Sequence, residues 1–211
     1  MDGKSGAWSK RVIGLLAAKR RYRPMKGPRR LMFVAVMAAL ANILSYPPIA
    51  VPLVIGPFES SIHFSQLPVF LCGIIAGPLA GLLAGGIGGS FMAFTKIPFI
   101  VGGIAILGCA AGLFAKKLRP FLAGILAWAV QAPYVVVTDY IWFTLFLHQP
   151  PTVAWSIVFT MVAKLTIEAV VCSVLAEILA PRISISVGSI STQTARQPRE
   201  DTRRNVEEKI N

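Results

Sequence analysis

Charge is scarce in this chain, and acidic charge is scarcest. Of 211 residues only 14% are charged, and nine are Asp or Glu. A soluble domain carries about a quarter of its residues charged. With 55% apolar residues and a mean hydropathy of +0.67, the composition excludes an ordinary soluble domain and points to a polytopic membrane protein. The two histidines, His63 and His148, are too far apart in sequence for a metal motif, so no metal is expected. The three cysteines, Cys72, Cys109 and Cys172, lie inside apolar segments, and their odd number argues against a disulfide framework. No G-x-x-x-x-G-K-[ST] loop occurs, so the chain has no P-loop cradle for ATP phosphates and no cofactor is expected of it.

The charge that is present, a formal net +12, sits at the ends. Residues 1 to 30 hold ten Lys and Arg against Asp2 alone, whereas the stretch from 31 to 181 is nearly neutral. Three regions follow: a basic N-terminal arm (1–30), a membrane domain (31–181) and a polar tail (182–211) with the composition of a disordered segment. A bilayer core about 30 Å thick asks for roughly 20 apolar residues per helix. Cutting the middle at Pro, Gly and charges gives six candidates: Leu31 to Tyr46, Ile62 to Ala76, Leu79 to Thr95, Pro98 to Ala115, Phe121 to Leu147 and Val153 to Ala180. The expected fold is an all-α six-helix transmembrane bundle, its second helix short enough to be tilted or half-buried. Basic residues near membrane ends stay cytoplasmic. Six helices put the N-terminal arm, the Lys116-Lys117-Leu118-Arg119 loop and Arg182 on that side, with both termini cytoplasmic in the cell membrane. The basic arm reads as a topology anchor, with no nucleic-acid partner expected.

Glycine recurs every fourth residue at Gly73, Gly77, Gly81, Gly85 and Gly89, the spacing that lets helices approach closely in lipid. Pro78 suits a first helical turn, so Ala76-Gly77-Pro78 reads as a tight turn between two antiparallel helices. Polar groups inside a membrane each cost a few kcal/mol unless paired or wet. On the fifth helix, with Gln131 at zero and about 100° per residue, Trp128, Tyr134, Thr138, Asp139 and Trp142 all fall within about 80° of it. On the sixth, Ser156, Thr160, Lys164 and Glu168 form a stripe at spacing four, in which Lys164 has both Glu168 and Asp139 as possible partners. These faces outline a cavity lined by Asn42, Gln131, Tyr134, Thr138, Asp139, Trp142, Thr160 and Lys164 and lidded by Glu59, His63 and Lys96. Aromatic planes with a few hydrogen-bonding groups suit a flat, heteroaromatic, vitamin-sized ligand.

The segment from Ile62 to Gly81, with Phe64-Ser65-Gln66-Leu67-Pro68, a hydrophobic run, then Gly73-Ile74-Ile75-Ala76-Gly77-Pro78-Leu79-Ala80-Gly81, resembles the second and third helices of the substrate-binding S components of energy-coupling factor (ECF) vitamin transporters. The resemblance extends over residues 31 to 181 in helix number and size. It implies a six-helix subunit that captures a vitamin at its outer face and works with a transmembrane coupling protein and two ATPase subunits. In that family an A-x-x-x-A stripe on the first helix docks the coupling protein, and Ala35 and Ala39 occupy it here. The Met-His start of the nickel and cobalt subtype is absent. No motif selects one vitamin. The expectation is therefore a transport subunit rather than an enzyme. The rivals are a proton-coupled secondary carrier using Asp139, Lys164 and Glu168, an intramembrane hydrolase built on Gly88-Gly89-Ser90 with His148, and a membrane scaffold without a ligand.

Overall fold

The computed structural model describes residues 27–46, 49, 51–55 and 58–207, with side chains described outside 51–61 and as far as Ser184. Helix α1 is Pro28–Leu44, followed by an antiparallel hairpin of β1 (Val51–Ile55) and β2 (Phe58–Ile62). Then come α2 (Gln66–Ala76), α3 (Pro78–Gly88), α4 (Ser90–Thr95), α5 (Ile100–Phe114), α6 (Pro120–Ile141, continued by a π-helical turn Trp142–Phe146) and α7 (Pro151–Glu207). Helices α3 and α4 form one segment broken at Gly89, so six helical segments run through the described residues, three of them (Pro78–Thr95, Pro120–Phe146 and Pro151–Ser184) long and apolar enough to cross a membrane. Four of the spans open on proline (Pro28, Pro78, Pro120, Pro151), where the missing N–H is not needed and φ is already helical.

The boundaries differ from the sequence expectation in instructive ways. Ile62 belongs to β2 rather than to the second helix, which starts only at Gln66. The connection from 47 to 61, expected as an outward loop, holds the hairpin; Glu59 pairs with Val54 in its register. The fifth span is not α-helical to Leu147 but widens into the π turn beyond Ile141, one place where a helix re-aims its side chains. The first helix takes in Pro28, Arg29 and Arg30 from the arm, whose residues up to 26 lie outside those described. The last is assigned as helical backbone past 181 into the polar tail read as structureless.

Large apolar side chains such as Met32, Leu79, Phe94, Val137, Phe159 and Ile167 face outward, Phe94 with 91% of its surface exposed. On a protein in water this belt would be a severe liability, and in a bilayer it is the lipid face. The protein is membrane-embedded. At the centre stands α2, buried at every residue except Leu67 and packed on α1, α3, α5 and α7, which suits a helix apolar all round. With 11 residues it is about 16 Å long, half of a bilayer core. Its C-terminal end reaches the basic end of the bundle, near Lys116 and the start of α3. Its N-terminal end therefore lies near mid-depth.

The glycine ridge explains how α2 and α3 pack so closely. Gly77 has φ 95°, a left-handed conformation that makes the turn and that side chains resist. A Cβ on Gly73 or on Gly81 would collide with the carbonyl oxygen of Gly108, and one on Gly85 with that of Ile104. The ridge thus packs on a second small-residue stripe along α5, Gly108 and Gly112, the latter against Pro78 and the Gly73 carbonyl.

Candidate functional site

At the entry of α2, near mid-depth, His63, Ser65 and Gln66 are buried among helices, whereas Phe64 between them is exposed. His63 is 3% exposed, Ser65 2% and Gln66 4%. The His63 backbone N–H donates to Glu168 Oε1 at 2.9 Å, tying the entry of α2 to the middle of α7. Lys164 Nζ lies 3.5 Å from the same oxygen, one helical turn away, so Lys164 pairs with Glu168 and not with Asp139. The imidazole Nδ1 of His63 is 3.0 Å from Ser65 Oγ and 3.7 Å from Glu168 Oε2. The imidazole thus faces the Lys164–Glu168 pair. Lys96 is exposed at the end of α4.

Several atoms of the cluster are buried without a hydrogen-bond partner: His63 Nε2, Gln66 Oε1, Glu168 Oε2 and, on α6, Gln131 Oε1. Each such atom costs roughly 1–3 kcal/mol, so a set of them is rarely left idle. The Gln131 amide nitrogen lies against Gly103 of α5, where a Cβ would come within 3.1 Å.

A second group is aromatic. Tyr134 donates its hydroxyl to the Phe99 carbonyl at 3.1 Å and lies across Gly102 and Gly103. Trp142, on the π turn, stacks on Phe146 (centroids 4.9 Å, planes 24° apart) and meets Phe99 edge-on at 6.1 Å. Phe99 thereby joins Tyr134 and Trp142 into one apolar wall at the hairpin end.

The remaining residues singled out in the sequence divide. Asn42 lies elsewhere: its amide donates to the Ile87 carbonyl at 3.0 Å and its Oδ1 accepts the Phe91 N–H at 3.1 Å, splinting the break between α3 and α4. Thr138 and Thr160 bond carbonyls of their own helices, Tyr134 and Ser156 respectively. Asp139 is buried at 5% exposure and among the described residues makes no side-chain hydrogen bond or ion pair. The Glu59 side chain is outside those described. Ala35 and Ala39 are exposed on α1, while Val34, Met37, Ala38 and Ala41 are buried. Ser90 spends its hydroxyl on the Ile87 carbonyl at 2.8 Å. Glu168, Ser65, Gln66, Phe99 and Phe146 were not among the expected lining residues. The signal for Gln66 was present, a strongly polar amide at the mouth of an apolar helix.

A family model described as "ECF-type riboflavin transporter, S component" matches residues 27–190, and the chain belongs to that family. It is a family of transport subunits, not enzymes. Among solved structures the chain is similar to one described as "Structure and mechanism of the S component of a bacterial ECF transporter", at 17% identity over 77% of this chain and 96% of that one, with a TM-score of 0.47. No curated protein matches the sequence.

Proposed function

We propose that this chain captures riboflavin, or a flat heteroaromatic vitamin of its kind, at the hairpin end of the bundle, for ATP-driven uptake with a transmembrane coupling protein and two ATPase subunits. The observation that carries the reading is the family match across all six spans. The site's chemistry supports it. A fused-ring ligand has an apolar face for the wall of Trp142, Phe146 and Tyr134, and a polar edge whose donors and acceptors would satisfy Gln66, Gln131 and His63. Lys164, held by Glu168, would meet a ligand carbonyl or anionic group, while Thr138, Thr160 and Asp139 line the approach. Glu59 and Lys96 belong to the lid. Asn42 supports the site indirectly, by fixing the α3–α4 break that leads to Lys96.

In this reading the basic end, with both chain termini, faces the cytoplasm and the hairpin faces outward. The exposed Ala35 and Ala39 offer the coupling protein a smooth strip of α1. Mass spectrometry of small molecules co-purifying with the detergent-solubilised protein, followed by fluorescence titration with riboflavin, tests the ligand. One flavin bound per chain, weakened at least tenfold by Lys164→Ala, is the expected result. Undiminished flavin binding in that variant would remove Lys164 from the site, and a different co-purifying vitamin would replace riboflavin.

A further inference from the structure

At the basic end, opposite the vitamin site, α1, the α2–α3 turn and the end of α5 enclose a cavity of about 470 Å³. Its walls are apolar, Ile74, Ile75 and Leu79, and its rim carries two cations, Arg30 from α1 and Lys116 from the α5–α6 loop. Neither cation pairs with a carboxylate among the described residues. Glu177, the last acidic residue of α7 among the described side chains, accepts the Phe121 N–H at 2.9 Å. The floor is open at Gly77, where an added Cβ would meet nothing within 4 Å.

We propose that this groove holds one anionic phospholipid, its headgroup phosphate between Arg30 and Lys116 and its acyl chains along Ile74, Ile75 and Leu79. Three observations choose a lipid over an acidic protein segment. The groove lies at the level where basic residues mark the membrane surface. Its margin continues into side chains that already face lipid, Leu31, Met32 and Leu79. It also combines paired positive charge with an apolar trough, the two chemistries that a phospholipid joins in one molecule. A lipid seated there would bridge α1 to the α2–α3 turn, adding to the packing of Val34 and Met37 against Cys72, Ala76, Ala80 and Ala84.

The test uses the full chain in nanodiscs of phosphatidylcholine containing a minor fraction of phosphatidylglycerol, with the lipid retained after delipidation counted by mass spectrometry. One phosphatidylglycerol should remain per chain. Arg30→Gln with Lys116→Gln should lower its preference over phosphatidylcholine by about 30-fold, the ordinary effect of two near-surface cations. Arg30→Lys with Lys116→Arg should restore it, and Lys117→Gln, a loop cation outside the groove, should leave it unchanged. Equal retention of both lipids, or an equal loss in Lys117→Gln, would overturn the proposal, as would displacement by inorganic phosphate alone at millimolar concentration. If the double Gln variant keeps its lipid but no longer binds the coupling protein, the groove is a protein dock instead.

Discussion

A carboxylate in the middle of a membrane helix is costly, and Glu168 is 1% exposed. It persists because one oxygen serves two partners, the Lys164 ammonium and the His63 N–H. Removing one member of a buried pair leaves the other uncompensated at a cost of about 3–5 kcal/mol, whereas replacing both with apolar groups is often neutral. Glu168→Ala is therefore expected to lower the thermal unfolding temperature sharply, and Lys164→Met combined with Glu168→Leu to recover most of it while binding no flavin. Recovery of both stability and binding in the double variant would make the pair structural. The Lys164–Glu168 pair was legible as an i, i+4 spacing. The role of His63 was not, because it depends on where α2 begins, and a backbone N–H leaves no mark in a side-chain pattern. Asn42 shows a related limit: a polar residue on an apolar helix signals an obligation to hydrogen-bond, met here by the Ile87 carbonyl and the Phe91 N–H, but the pattern alone does not name those partners.

At the scale of elements, small residues do two different jobs. Along α2, α3 and α5 they are buried and admit backbone to backbone, and along one strip of α1 they are exposed. Gly81→Ala should cost about 1–3 kcal/mol through overpacking against Gly108, read as a lowered unfolding temperature. Ala35→Leu with Ala39→Leu should leave that temperature and flavin binding unchanged and abolish transport, since it adds bulk at positions left exposed by the described residues. Loss of flavin binding in the alanine variant would count against a docking strip. The glycine period was plain in the sequence, but its partner stripe on α5 was not recognised, Gly108 and Gly112 being only one repeat long. The hairpin was missed because Pro52, Gly56 and Pro57 interrupt residues 51 to 62 in the manner of a loop, and the register that pairs Val51 with Ile62 is set across the turn rather than along either strand. Its effect is large: it takes Ile62 out of the second helix and leaves α2 only half a bilayer long.

For the whole molecule, hydropathy and the placement of basic residues sufficed for six spans, since each is a property of composition summed over a helix length. What composition does not contain is the division of the bundle into two ends with different chemistry. The short central helix places a polar cluster near mid-depth, an aromatic group stands at the hairpin end, and at the opposite end an apolar trough carries two cations. As proposed above, the chain would capture its ligand and depend on other subunits for energy. The most direct test is uptake of labelled riboflavin into proteoliposomes containing the chain either alone or with the coupling protein and both ATPases. Accumulation that requires the partners and ATP, and that the chain alone does not support under a pH gradient, is the predicted result. Concentrative uptake by the chain alone, driven by protons, would contradict it.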